Sequence, residues 1–310
     1  MQNFTRAGKV LVSLLFGLLF LTQSVISPTD EVERVRTYTR MVEFDYVDWT
    51  LDAFVVKSFQ ESVSAPRYMS LEDQREIVFE YLNLVSSVNR TAAEIERVYA
   101  DPDIDDPEAE AFDLLEEQRI LRSTEEQLKP IAESIIQYQV STTAVDLDLG
   151  FLGQPVPPVL YHVTRLPSAL IVSPRDVIRQ DANISLVPEL TIEDIVGLEA
   201  DVESGLDVSA LIVPIGGVGT YPTMVMSTTD LRWLLEVVSH EWIHNYLTLR
   251  PVGMLYGVSG EMRTINETTA NLAGKEISLA VMERYYPELV PPPAPPPPPV
   301  EDPPQAETQP

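Results

Sequence analysis

The segment His240-Glu241-Trp242-Ile243-His244 is an H-E-x-x-H pattern that contains two of the chain's three histidines. Side chains four positions apart lie on one face of a helix, so both imidazoles can bind one metal ion. Zinc is the ion typical of this pattern, and one Zn²⁺ per chain is expected. Glu241 would then face the open coordination position as a general base, taking a proton from zinc-activated water and passing it to a leaving amine.

The residues around this pattern favour a buried helix from about Thr229 to Leu249. Ser227 to Thr229 offer an N-cap, Asp230 falls in the first turn, and residues 231–238 contain neither proline nor glycine. A helix that is apolar on most sides is buried. The alternative, two histidines in an ordinary core helix, is disfavoured because buried polar groups without a partner are costly.

A catalytic zinc needs a third protein ligand. The chain has no cysteine and no histidine after His244, so the third ligand is either a carboxylate or His162. Glu267 lies between small residues that would let a second helix pack closely against the first. The downstream carboxylates are Glu261, Glu267, Glu276 and Glu283.

The pattern and the separation of 23 residues between His244 and Glu267 resemble the gluzincin metallopeptidases. The resemblance covers roughly residues 205–290 and implies that His240, His244 and Glu267 bind zinc while Glu241 acts as base. It also places Asn271 where the family has an aspartate that orients the first histidine. The implied activity is hydrolysis of peptide bonds.

The family places a substrate-binding edge strand about 20–30 residues before the pattern. Gly216, Gly217 and Gly219 occupy that interval, and glycines there would let a peptide backbone approach closely. A glycine-rich turn between two strands is the alternative. A donor to the reaction's oxyanion is also needed. The candidates are Tyr256, Arg263 and His162, with Tyr285 and Tyr286 less well placed.

The composition narrows the classes of function. The net charge is −27, from 21 Lys and Arg against 48 Asp and Glu, which disfavours binding of nucleic acid or anionic lipid. The absence of cysteine excludes disulfides, thiolate metal sites and cysteine nucleophiles.

Residues 10–29 carry no charge, follow Arg6 and Lys9, and precede the acidic Asp30 and Glu31. This arrangement favours an uncleaved membrane anchor with the rest of the chain outside the cytoplasm. A cleaved signal peptide, which would leave a secreted protein, is the alternative.

The remaining pattern predicts an α+β protein. Helices are expected near residues 30–63, 70–100 and 108–140, followed by a zincin-like domain of mixed sheet and active-site helices over 141–290. Residues 291–310 are a proline-rich tail, expected to be extended or disordered. The expected strands are Val159–Val163, Ala169–Val172, Ala210–Val213 and Thr223–Met226, with one helix near 192–198.

Two functions follow from these features. The first is a membrane-anchored, extracytoplasmic zinc metallopeptidase acting on peptide or protein substrates. The second is a membrane-tethered helical interaction or scaffold protein with a structural or degenerate metal site. Glu241 favours the first, because a purely structural site has no use for a carboxylate beside its first ligand. Oligomeric state and the choice between endopeptidase and aminopeptidase stay open.

Overall fold

The computed structural model describes residues 30–63, 66–177 and 179–290, with the backbone only for 58–63. The structure combines helices with small sheets, as the α+β prediction required. No helix within the described ranges is long and apolar enough to cross a membrane. The predicted anchor over residues 10–29 and the proline-rich tail lie outside the described residues.

The first half of the chain is helical. Helix α3 closely matches the prediction for 70–100, and Ser70 caps it by accepting a hydrogen bond from the Asp73 backbone. The helix expected over 30–63 is instead two helices, because residues 42–44 pair with the end of a strand near Leu186. The helices are α1 (Glu31–Thr39), α2 (Tyr46–Val63), α3 (Leu71–Ala100), α4 (Pro107–Glu110) and α5 (Phe112–Asp146).

The second half adds eight strands and four further α-helices within the described residues. The strands are β1 (Gly150–Phe151), β2 (Gln154–Pro155), β3 (Tyr161–Val163), β4 (Ser168–Pro174), β5 (Ala182–Leu186), β6 (Val208–Pro214), β7 (Gly217–Val218) and β8 (Thr223–Val225). The helices are α6 (Ile192–Leu206), α7 (Leu231–Thr248), α8 (Pro251–Met254) and α9 (Gly260–Tyr285).

Two three-stranded sheets replace the single mixed sheet that the sequence predicted. In the first, with order β3-β8-β7, β3 is parallel to β8 and β7 is antiparallel at the edge. In the second, with order β5-β4-β6, all pairs are antiparallel. Strands β1 and β2 form a separate hairpin. Strand β5 has no counterpart in the prediction.

The main hydrophobic core joins α3, α5, α7 and α9, with Val78, Ile135, Leu235 and Val281 all below 1 % exposed. The expected domain boundary at residue 140 therefore lies inside α5, and segments on both sides of it share this core. A second, smaller core lies between β4-β5-β6 and helices α1 and α6. The packing of α7 on α9 positions His240 and His244 relative to Glu267.

Candidate metal centre

Helix α7 carries the H-E-x-x-H residues, as predicted. It begins after Asp230, whose carboxylate accepts a hydrogen bond from the Trp233 backbone at 3.0 Å. Helix α9 lies against it, and the two helices come close together at Gly274. A Cβ added to that glycine would lie 3.0 Å from the backbone N and Cα of His240. A larger residue would push the helices apart, so this glycine permits Glu267 to reach the histidines.

The three expected ligands converge in the structure. Nε2 of His240 and Nε2 of His244 are 3.0 Å apart, and Oε2 of Glu267 lies 3.7 Å and 3.4 Å from them, respectively. A point about 2.0 Å from all three atoms therefore exists, which matches the ~2.0–2.1 Å zinc–nitrogen distance. The donor set, two imidazoles and a carboxylate, is of the kind that binds a divalent transition metal.

Hydrogen bonds orient both imidazoles toward this point. Nδ1 of His244 lies 2.7 Å from Oδ1 of Asn266, while Nδ2 of Asn266 donates to the Val252 carbonyl. His244 therefore carries its proton on Nδ1 and turns the lone pair of Nε2 inward. His240 hydrogen-bonds the backbone of Ala270 in the same sense. Two lone pairs 3.0 Å apart repel each other, so the arrangement fits a cation between them.

The electrostatics of the two histidines differ. Burial would lower the pKa of His244, but its hydrogen bond with Glu267, followed by the charge of Glu241, raises that pKa. Burial, followed by the charge of His244, lowers the pKa of His240. Neutral imidazole is the form that binds metals. Each histidine side chain is 18 % exposed and Glu267 is 40 % exposed, so the cluster is open on one side only.

Glu241 lies beside the cluster and is 8 % exposed. Burial raises its pKa to about 7, and the charge of Glu267 adds to this rise while His244 opposes it. A carboxyl group with a pKa near neutrality can both accept and release a proton under physiological conditions.

A cleft of about 660 Å³ opens above these residues. On one side it is bounded by Gly217, Val218 and Gly219, which form and follow the edge strand β7. A Cβ on Gly217 would lie 2.7 Å from Oε1 of Glu241, and one on Gly219 would lie 3.3 Å from Cβ of His244. The two glycines therefore bring the backbone of this strand directly over the histidines and Glu241. Gly216 lies farther back, against Trp233.

Tyr256 is the oxyanion candidate that lines the cleft. Its hydroxyl donates to Oε1 of Glu267 at 2.9 Å, and its ring lies 6.4 Å from that of His244. Burial raises the pKa of Tyr256 to about 12, so the hydroxyl stays protonated as a donor. Arg263 lies against the Tyr256 ring at 5.8 Å, outside the residues that line the cleft.

The structure places His162 away from the cleft, which corrects its candidacy as ligand or oxyanion donor. Its Nδ1 lies 3.1 Å from Oε1 of Glu133, whose Oε2 accepts from Lys57 at 2.5 Å. His162 thus belongs to a buried ion network. Tyr285 and Tyr286 are also buried elsewhere, bonded to Thr142 and Gln139.

Asn271 does not orient a histidine in the structure. It is exposed, whereas the partners of His244 and His240 are Asn266 and the backbone of Ala270. The way the two helices cross explains this difference. Residues 266, 267, 270 and 274 form the face of α9 toward α7, and position 271 is turned away from it.

Four polar residues of the site were not predicted from the sequence. Asn245 donates to the Thr220 carbonyl at 3.0 Å and to Thr223, which fastens the loop after β7 to α7. Tyr46, Asn183 and Ser185 also line the cleft. Only Asn245 could have been suspected, because it directly follows the H-E-x-x-H pattern on the same helix.

Comparison with known proteins adds no relative: no protein-family model, no curated protein and no solved structure matches this chain. The chemistry of the site therefore has to be argued from its own residues.

Proposed function

We propose that this protein is a zinc metallopeptidase of the gluzincin type, with His240, His244 and Glu267 as ligands and Glu241 as general base. The observation that carries the proposal is the convergence of the three ligand atoms, 3.0–3.7 Å apart, on one point beside a buried carboxyl group. Glu267 brings a carboxylate, and no lysine or arginine is among the described residues that line the cleft, which suits a divalent metal.

When bound, zinc supplies the Lewis acidity that polarises a carbonyl group and activates water at neutral pH. Glu241 accepts the proton of the attacking water and delivers it to the leaving amine. Its pKa of about 7 suits both transfers. The Tyr256 hydroxyl, which donates to Glu267 in this structure and lines the cleft, is the donor we assign to the negative charge that develops on the substrate oxygen.

Strand β7 is suited to hold an extended peptide. It lies at the edge of the β3-β8-β7 sheet, and the Gly216 carbonyl on its inner side accepts from Met226. Backbone groups alternate in direction along a strand, so those of Gly217 face outward, over the cleft. A peptide that adds to this edge would lie across Glu241 and the histidines.

The charges in the cleft favour cleavage of internal peptide bonds. Among the described residues that line it, Glu241 and Glu267 are the only charged groups besides the histidines, and both have roles already. An aminopeptidase needs carboxylates that bind the free amino terminus of its substrate, and neither Glu199 nor Glu261 lines the cleft. Glu199 accepts from the Ile212 backbone at 2.7 Å, and Glu261 is exposed at the start of α9. An endopeptidase is therefore the better proposal.

The cellular setting remains that inferred from residues 10–29. We propose a single membrane anchor with the metal centre on the extracytoplasmic side, or a secreted form if the segment is removed.

A second function has one observation in its favour. The exposed side chains Val47, Leu51 and Val55 form an apolar stripe along α2 at helical spacing, with exposures of 71 %, 63 % and 70 %. A stripe of this kind favours an interaction module in which the helical region binds a partner. Such a role would not depend on Glu241.

The test is a peptidase assay of the full chain, purified in detergent and supplied with zinc, on a library of quenched fluorescent peptides. We expect cleavage by the native chain and a loss of at least about 10²-fold in kcat for Glu241→Gln. Glu261→Gln, at an exposed glutamate of α9, is the matched control and should cleave normally. Absence of cleavage by a chain that holds zinc would favour the interaction module.

A further inference from the structure

The antiparallel β4-β5-β6 sheet has two unlike faces. One face is buried against α1 and α6 and forms the second hydrophobic core. Because side chains alternate between faces along a strand, the strand residues that lie between the buried ones point to the opposite face. The buried set is Leu170, Val172, Ala182, Ile184, Leu186, Val208, Ala210 and Ile212.

The strand register arranges the opposite face in cross-strand rows. In one row Ala169 pairs with both Ser185 and Val213, and in the next Ile171 pairs with both Asn183 and Leu211. We call these residues the open face: Ala169, Ile171, Asn183, Ser185, Leu211 and Val213. None of the six is charged, although the chain as a whole has a net charge of −27.

The open face is continuous with the cleft. Ala169, Asn183 and Ser185 line the same cavity as His240 and Glu241. The Tyr46 hydroxyl lies 2.8 Å from Oγ of Ser185 and fixes this end of the face to α2. The open face thus forms part of the wall of the cleft, together with the glycines of β7.

Beyond the cleft the open face becomes apolar and accessible. Leu211 is 57 % exposed, and Ile171 and Asn183 lie beside it in the same row. Leu211 and Ile171 lie side by side on this uncharged face, and its continuity with the cleft indicates what the surface contacts.

We propose that the open face binds the segment of a polypeptide substrate that flanks the scissile bond. An uncharged stretch of the substrate would place an apolar side chain against Ile171 and Leu211, while the Asn183 amide would hydrogen-bond the substrate backbone. The substrate class is then an extended polypeptide with apolar residues beside the cleaved bond. This inference rests on the proposed peptidase function.

The test compares two peptide libraries of equal composition, one of 30 residues and one of six, on the full chain supplied with zinc. Leu211→Ser and Ile171→Ser should each lower the ratio of kcat/KM for the long library over the short one about tenfold, through KM rather than kcat. The control is Val196→Ser, at an equally exposed position on α6 (59 %), which should leave the ratio unchanged. Thermal unfolding of each variant checks the fold.

A binding measurement separates failure of this inference from failure of the proposed function. Fluorescence anisotropy measures the binding of a labelled 30-residue library to the Glu241→Gln variant and needs no turnover. Weaker binding after adding Leu211→Ser, but not Val196→Ser, supports the open face even if the native chain cleaves nothing. The proposal would be overturned if Glu241→Gln bound equally well with and without Leu211→Ser, if the kinetic ratios did not change, or if none of these chains bound the library.

Discussion

Oδ1 of Asn266 lies 2.7 Å from Nδ1 of His244. The same amide donates to the Val252 carbonyl, so its oxygen is held toward the imidazole. This bond decides which nitrogen of His244 carries the proton and therefore which one is available to a metal. Asn266 is 2 % exposed and directly precedes Glu267, so one turn of α9 provides both a proposed metal ligand and a residue that orients another.

Replacing Asn266 should weaken zinc binding without removing a ligand. Asn266→Ala frees the His244 ring to rotate, and affinity is expected to fall about 10–100-fold, the usual effect of losing such a partner. Zinc affinity is measured by competition with a chromophoric chelator. Asn271→Ala, at an exposed asparagine on the same helix, is the control. Equal affinities of the two variants would contradict the role given to Asn266.

Zinc content separates the ligand Glu267 from the base Glu241. Plasma mass spectrometry of the native chain should find about one zinc per chain after reconstitution at neutral pH. Glu267→Ala should lose most of the metal on dialysis because a third of the protein ligands is gone. Glu241→Gln should retain it. A native chain without zinc would leave α7 as an ordinary core helix.

Gly217 should not tolerate a side chain, because other side chains already fill the space beside it. In Gly217→Ala the new methyl group would lie 2.7 Å from Oε1 of Glu241 and 2.9 Å from Val237, so the carboxyl group must shift. A displacement of about 1 Å at a catalytic group can cost on the order of 10²-fold, and we expect such a loss in kcat with zinc content unchanged.

The control for this substitution is Gly197→Ala in the middle of α6. No heavy atom lies within 4 Å of the added methyl group there. The free energy of unfolding should rise by about 0.5–1 kcal/mol, because alanine is the better helix former, and kcat should not change. A normal kcat in Gly217→Ala would show that β7 does not crowd Glu241.

The buried ion network should matter for stability. Lys57 is 1 % exposed and lies 2.5 Å from the fully buried Glu133. Lys57→Met removes the Lys57 charge from the buried carboxylate, and the free energy of unfolding should fall by about 3–5 kcal/mol in a denaturant titration. Lys275→Met, which removes a 63 % exposed lysine 4.0 Å from Glu236, should change it by less than about 1 kcal/mol. Similar losses would refute this view of the network.

The same network predicts an acid-sensitive stability. Burial would raise the pKa of Glu133, but the charge of Lys57 and the bond to His162 lower it to about 2, below its ordinary 4.5. A depressed pKa contributes stability that is complete above pH 4.5 and is lost as the pH falls from 4.5 toward 2. Denaturant midpoints across this range should drop less steeply for Lys57→Met/Glu133→Gln than for the native chain. Parallel curves would argue against Glu133 as the titrating group.

Local patterns account for what the sequence predicted well. The spacing of His240 and His244 needs only the helix repeat, and the run without proline or glycine after Asp230 makes that helix. Helix α3 was likewise predicted to within a residue or two, because its apolar stripe and its Ser70 cap are local. The break between α1 and α2 was missed, since residues 40–45 contain no glycine or proline and the turn is held by pairing near Leu186.

The sequence by itself determined the H-E-x-x-H helix, the set of residues from which the third ligand had to come, and the glycines before the helix. Only the tertiary structure decided which side of α9 meets α7. This placed Asn266 on His244, put the Ala270 backbone rather than Asn271 on His240, and moved His162 into another network. It also brought Asn183 and Ser185, more than 50 residues before His240, over the cleft. The physical reason is that a helix or strand repeat fixes which residues share a face, whereas the choice of partner depends on the packing of the whole core.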